Sequence, residues 1–168
     1  MIEYLPLVLT GIGIIVSILY YTSVLRNANK TRQSQLFTNI YNQSFANPDF
    51  LKAVRVIQIK GTQINDADDL ARAYDWFNPK PDDPEFLEAW SYVSSFFEGL
   101  GVFVREGLIP IRLIALTMTG LTLSVWSVQS PYLEAERARF GATRLWSEWE
   151  YLVNELTRYI DEHPELST

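Results

Sequence analysis

Two hydrophobic patterns divide this chain. Residues 5–25 (LPLVLTGIGIIVSILYYTSVL) form one uncharged run. From residue 36 onward, apolar positions recur instead every three or four residues among polar ones. The first pattern suits a membrane helix, because a hydrocarbon core about 30 Å thick needs about 20 apolar residues at 1.5 Å each. The second is the periodicity of amphipathic helices packed on a core. No segment alternates with period two, so the expected fold is all-α. The expected architecture is an N-terminal transmembrane helix continuing into a cytoplasmic bundle of about six further helices. Residues 1–25 are assigned to the anchor and 26–168 to the helical domain.

The periodicity marks out each helix. Leu36, Phe37, Ile40, Tyr41 and Phe45 carry the first helix on from the anchor, with no Gly or Pro between Leu25 and Phe45. Anchor and exit helix should therefore be one rod. Asn47-Pro48-Asp49 combines an N-cap, a first-turn proline and a dipole-favourable acid, and starts a helix burying Phe50, Val54 and Ile57 up to Gly61. A short helix is expected over residues 66–77, then a loop over 78–84, where three prolines exclude a helical ladder. Phe86, Trp90, Val93, Phe97, Leu100 and Val104 form the inward stripe of a fourth helix, stopped at Gly107. Residues 110–128 read as a fifth, nearly uncharged helix. Its uncharged stretch, 113–128, is too short for a comfortable span, so it is assigned to the core. Ser130-Pro131 opens a sixth helix ending near Gly141. A seventh runs from about Thr143 to Glu162, with Leu145, Trp149, Leu152, Leu156 and Ile160 inward.

Charge gives the anchor a direction. Only Glu3 is charged before it, whereas Arg26, Lys30 and Arg32 follow it with no acid until Asp49. Positive flanks stay on the cytoplasmic side, which predicts an outside N-terminus and a cytoplasmic domain in the cell membrane, as a single pass. A cleaved signal peptide would need a basic start and a shorter apolar run, so the segment reads as an uncleaved signal anchor. The net charge of −6 is uneven, with eight acids among residues 66–88 against Arg72 and Lys80. Without a basic stripe beside an aromatic platform, nucleic acid is not an expected partner. The expected partners are the lipid bilayer and other membrane-protein subunits, or a second copy of the chain. Thr10, Gly13 and Ser17 form a small-residue stripe that would let another helix approach in lipid.

Candidate chemistry is sparse. The chain has no cysteine, which excludes disulfides, thiolate metal sites and cysteine nucleophiles. Its one histidine, His163, adjoins Pro164 near the C-terminus and has no second imidazole to share a metal. Asp66, Asp68 and Asp69 lack the glycine and distal glutamate of a calcium loop and read as a solvated helix start. Neither a metal nor an organic cofactor is expected. Glu98 and Arg105, two turns apart on the fourth helix, are expected to join Glu136 and Arg137 in a structural polar network that fixes helix register. Gly99-Leu100-Gly101 follows no strand and so is not a dinucleotide fingerprint; glycines within a helix instead suggest close approach of a neighbour.

The stretch Phe96-Phe97-Glu98-Gly99-Leu100-Gly101-Val102-Phe103-Val104-Arg105-Glu106-Gly107-Leu108-Ile109 carries a family likeness. So does the later spacing of Trp126, Pro131-Tyr132, Glu136-Arg137, Trp146 and Glu150-Tyr151-Leu152. Over most of residues 30–160 this resembles an uncharacterised prokaryotic family of single-pass membrane proteins with a small helical cytoplasmic domain, a domain of unknown function. The resemblance implies the architecture and no catalytic residues. The leading expectation is a non-enzymatic accessory, scaffold or assembly subunit of a membrane protein complex. The alternative is a membrane-tethered sensor or regulator that binds a small apolar ligand among Trp90, Trp126, Trp146 and Trp149. A hydrolase using carboxylates alone would require two facing Asp or Glu in one cleft.

Overall fold

The computed structural model describes residues 5–64, 69–70, 72 and 82–166, and among them every regular element is helical. Helix α1 (Leu5–Ser44) is the expected unbroken rod, 40 residues and about 60 Å long. It is followed by α2 (Pro48–Gly61), α3 (Pro84–Arg105), α4 (Ile111–Thr117), α5 (Thr119–Gln129), α6 (Leu133–Phe140) and α7 (Ser147–Glu162). Six helices thus follow α1 among the described residues, but their membership differs from the sequence expectation. The expected helix over 66–77 and the expected loop over 78–84 lie mostly outside the described residues. What the structure does describe there is helical backbone at 69, 70 and 72, with Leu70 buried.

Helix α3 is the spine. Phe86, Trp90, Val93, Phe97, Leu100 and Val104 are all buried, as their spacing predicts. Its N-terminus is capped by Asp83, whose carboxylate accepts from the Phe86 N–H at 3.0 Å. Pro84 occupies the first turn, where a missing N–H leaves no donor unpaired. The Lys60 ammonium lies 2.8 Å from Asp83 and 2.9 Å from Glu85, tying the end of α2 to the start of α3. At the opposite end Gly107 takes φ +65°, a left-handed cap that glycine adopts without steric cost. There the Gln33 side chain of α1 donates to the Gly107 carbonyl at 3.2 Å. These tethers set the layout. The C-terminal end of α3 meets α1 as α1 enters the domain, while its N-terminal end lies about 33 Å away along the α3 axis.

Helix α2 starts as expected, with Asn47 accepting from the Asp49 N–H at 2.9 Å. Phe50, fully buried, meets Phe96 and Phe97 of α3 with ring centroids 4.6 and 6.4 Å apart. Helix α7 crosses α3 on another side, stacking Trp149 on Phe97 at 4.8 Å. Gly101 makes that crossing possible, because an added Cβ would overlap the Glu148 carbonyl. Gly99 has open space around it, so only one of the two mid-helix glycines serves close approach.

Two expected elements change form. The single helix expected over 110–128 is broken at Met118 (φ −128°, ψ 4°), and the segments before and after it are bent by 90°. Two threonines flank the break. The Thr117 and Thr119 hydroxyls donate to the carbonyls of Leu113 and Ala115 at 2.7 and 2.8 Å, competing with the helical ladder. Gly120 adds a weak helix former just beyond. Ile114, Met118, Thr122 and Val125 are nevertheless buried, which places this segment in the domain interior. The last helix begins at Ser147 rather than near Thr143, after a turn in which Trp146 adopts a left-handed φ of 55°. Trp149, Leu152 and Leu156 are buried as expected, whereas Leu145 and Ile160 are half-buried.

Candidate functional site

The largest exposed feature among the described residues is the stretch of α1 over residues 9–32. Every residue from 9 to 32 is exposed, including Thr10, Gly13, Ser17, Arg26, Lys30 and Arg32. Burial begins only at Gln33, Leu36 and Phe37 and is complete at Ile40 and Ser44. Among the described residues α1 is the one single helix long and apolar enough to cross a membrane, with a window of mean hydropathy 1.5. The small-residue stripe is sterically open, since nothing in the chain lies within 4 Å of a Cβ added at Gly13. The Ser17 hydroxyl donates to the Gly13 carbonyl at 2.8 Å. It is therefore satisfied within the helix and needs no polar partner in an apolar surrounding.

The four residues expected to form one polar network fall into separate groups. The Glu98 carboxylate accepts from the backbone N–H groups of Glu148 and Trp149 at 3.0 and 2.9 Å. It thereby caps the start of α7, which has no N-cap side chain of its own and where a negative charge suits the helix dipole. Burial pushes the Glu98 carboxyl above the ordinary range, outweighing the two N–H bonds that lower it. Arg105 pairs with Glu148 and lies 3.9 Å from the centre of the Tyr151 ring. Arg137 holds Glu150 at 2.8 Å and the Leu145 carbonyl at 3.0 Å, bracing the turn before α7. Glu98 and Glu148 are neighbours on different helices, as a carboxylate pair would require. Glu98 is engaged by backbone N–H groups and Glu148 by Arg105, with Arg144 at 3.6 Å, so the arrangement is a clamp between α3 and α7.

Glu136 stands apart from that clamp. It is 3% exposed, on the inward face of α6, and the indole N–H groups of Trp90 and Trp146 and the Gln129 amide surround it. Neither of its oxygens makes a direct hydrogen bond of good geometry, and neither do Gln129 Nε2 and Trp146 Nε1. The other end of Gln129 is held, because Ser94 Oγ donates to Gln129 Oε1 at 2.9 Å. Burial pushes the Glu136 carboxyl up to about 7, against the weaker opposing pull of the surrounding donors. Glu136 was visible in the sequence as a charge, but its position carried the stronger signal. It shares an i, i+3, i+7 stripe with Leu133 and Phe140, an apolar-face position for an acid. Gln129 and Glu148 were not anticipated; Gln129 follows Val125 by one turn on the buried face of α5.

Three of the four tryptophans named for a ligand cavity, Trp90, Trp126 and Trp149, are packed against other rings. Trp90 and Trp149 have no exposed surface, and Trp126 meets Trp149 edge to face at 5.2 Å. His163 stacks on Tyr159 at 4.1 Å, with Nδ1 2.9 Å from the Tyr159 carbonyl. Asp66 and Asp68 lie outside the described residues.

The fold and these surfaces define a class: an all-helical protein with one long apolar N-terminal helix, held to a compact bundle at its far end. Within that class the chain belongs to the family described as Domain of unknown function (DUF4760), which it matches over residues 7–156. The match includes most of the apolar helix as well as the bundle. No curated protein and no solved structure matches the chain.

Proposed function

We propose that this protein is a non-enzymatic, membrane-anchored accessory, scaffold or assembly subunit of a membrane protein complex. In this reading α1 crosses the plasma membrane of a prokaryote once, with the N-terminus outside and the bundle in the cytoplasm. The observation that carries it is the division of α1 itself. One uninterrupted helix is exposed from residue 9 to residue 32 and rooted in the core through Leu36, Phe37, Ile40 and Ser44. A flexible leash would only tether the domain, whereas a continuous rod transmits position and rotation from the bilayer to the bundle. Arg26, Lys30 and Arg32 favour the cytoplasmic orientation. Thr10, Gly13 and Ser17 form the proposed packing face for another subunit or a second copy.

Gentle detergent extraction, affinity capture of the full chain and mass spectrometry of what accompanies it test the reading. It predicts defined companion subunits or a homo-oligomer, recovered in fixed ratio. Recovery of a monomer alone under gentle conditions contradicts it.

A further inference from the structure

We infer that the turn between α3 and α4, led by Leu108, is a second membrane contact that rests the domain against the lipid headgroup layer. This inference rests on the reading that α1 spans the bilayer, and adds to it a surface on the cytoplasmic bundle.

The argument begins with register along α1. Gln33, which holds the Gly107 carbonyl at 3.2 Å, lies eight residues beyond the last residue of the apolar run, Leu25. That is about 12 Å along the helix axis. Asn29 and Arg32 line the same groove of about 510 Å³ as Phe103, Gly107 and Leu108. Asn29 is only four residues past Leu25, about 6 Å. A headgroup layer is about 5–8 Å thick on each side of the hydrocarbon. The groove therefore opens at the inner edge of that layer.

The turn is built to present an apolar side chain there. Its backbone is fixed by the Leu108 and Ile109 N–H groups donating to the Phe103 carbonyl at 2.9 and 3.1 Å, with Gly107 in the left-handed region. Ile109 is buried at 1% exposure, while Leu108 beside it is 45% exposed. One wall of the groove thus carries an outward leucine and the other carries Arg32, with Lys30 and Arg26 nearer the apolar run. An apolar side chain beside guanidinium and ammonium groups matches the interface between acyl chains and acidic headgroups. The turn carries one acid, Glu106, against the three basic residues Arg26, Lys30 and Arg32 on the exposed part of α1.

The absence of cysteine permits single-site labelling of the full chain. Leu108→Cys, Ile14→Cys and Ile59→Cys, all at exposed positions, are each labelled with an environment-sensitive fluorophore. They are reconstituted in nanodiscs containing phosphatidylglycerol, with and without lipid carrying a nitroxide high on its acyl chain. Ile59 adjoins Lys60 at the far end of α3 and serves as the distant control. Blue-shifted emission with loss of intensity to the lipid nitroxide is expected at 14 and 108 and not at 59. A label at 108 that behaves like 59, while 14 is quenched, overturns the inference and leaves the anchor standing. A label at 108 shielded from aqueous quencher yet untouched by the lipid nitroxide overturns it in favour of a covering protein. An unquenched label at 14 removes the anchor, and the inference with it.

Discussion

Replacing Glu136 by glutamine should stabilise the protein, and only at neutral to alkaline pH. The carboxyl is 3% exposed and pushed from 4.5 up to about 7 by burial. Below pH about 4.5 it is protonated in both the folded and unfolded chain, so its titration costs the fold nothing. As pH rises toward and through 7, the unfolded chain gains an ionised, solvated carboxylate that the folded chain can form only at a cost. Stability present at low pH is therefore lost across that window. At about 1.4 kcal/mol per unit of displacement, the loss reaches about 3 kcal/mol above pH 8. Glutamine keeps the shape and one acceptor facing Trp90, Trp146 and Gln129 but carries no charge. For a chain of this size 1 kcal/mol moves Tm by about 2–4 °C, so Glu136→Gln should raise Tm by about 6–12 °C near pH 8.5 relative to its effect near pH 5. Thermal unfolding of the full chain in mild detergent, followed by tryptophan fluorescence, provides the assay. Comparing variant with parent at each pH cancels the titration of Glu98 and the surface groups. An equal change at both pH values, or a loss of Tm at pH 8.5, would refute the assignment of a buried, disfavoured charge.

Other substitutions probe the packing. Gly101→Ala should destabilise by about 3 kcal/mol or more, because the new Cβ meets a backbone carbonyl that cannot swing aside. Gly99→Ala, two residues away in open space, should stabilise by about 1 kcal/mol; chemical denaturation of the two variants should move in opposite directions. Glu98→Ala removes the acceptor of two N–H groups at the start of α7 and should cost about 2–4 kcal/mol, with Glu98→Gln costing less. Hydrogen exchange should show faster opening at residues 147–150 in the alanine variant. Asp83→Ala should cost about 1 kcal/mol as a lost N-cap. Burial opposes ionisation of Asp83, but Lys60 and the Phe86 N–H hold its carboxyl below the usual value. Its contribution is therefore present above pH about 3.8 and is lost as pH falls further, so the penalty of the variant should shrink in acid.

What periodicity encodes was legible. The α3 stripe, the Asn47 cap, the glycine stop at residue 107 and the unbroken α1 all follow from local rules that tertiary packing did not override. The break at Met118 was not, because apolar periodicity continues across it. The left-handed Trp146 was equally hidden. Tertiary packing, not residue preference, holds a bulky residue in that conformation. The polar groups show the same boundary. Sequence spacing placed Glu98 and Arg105 on one flank of a helix, and both meet the start of α7 there. It could not separate Glu136 from them, because partners on other helices decide which charges meet.

The central claim, that α1 presents its small-residue face to another subunit, is tested most directly by the native mass of the gently extracted particle, with and without Gly13→Leu. Nothing in the chain lies within 4 Å of a Cβ at Gly13, so the bundle and α1 themselves accommodate the change. The account predicts a parent particle heavier than the 19.4 kDa chain, and a leucine variant that falls to that mass while keeping its helical content. A parent that already runs at 19.4 kDa would contradict it, as would a heavier particle indifferent to leucine at residue 13.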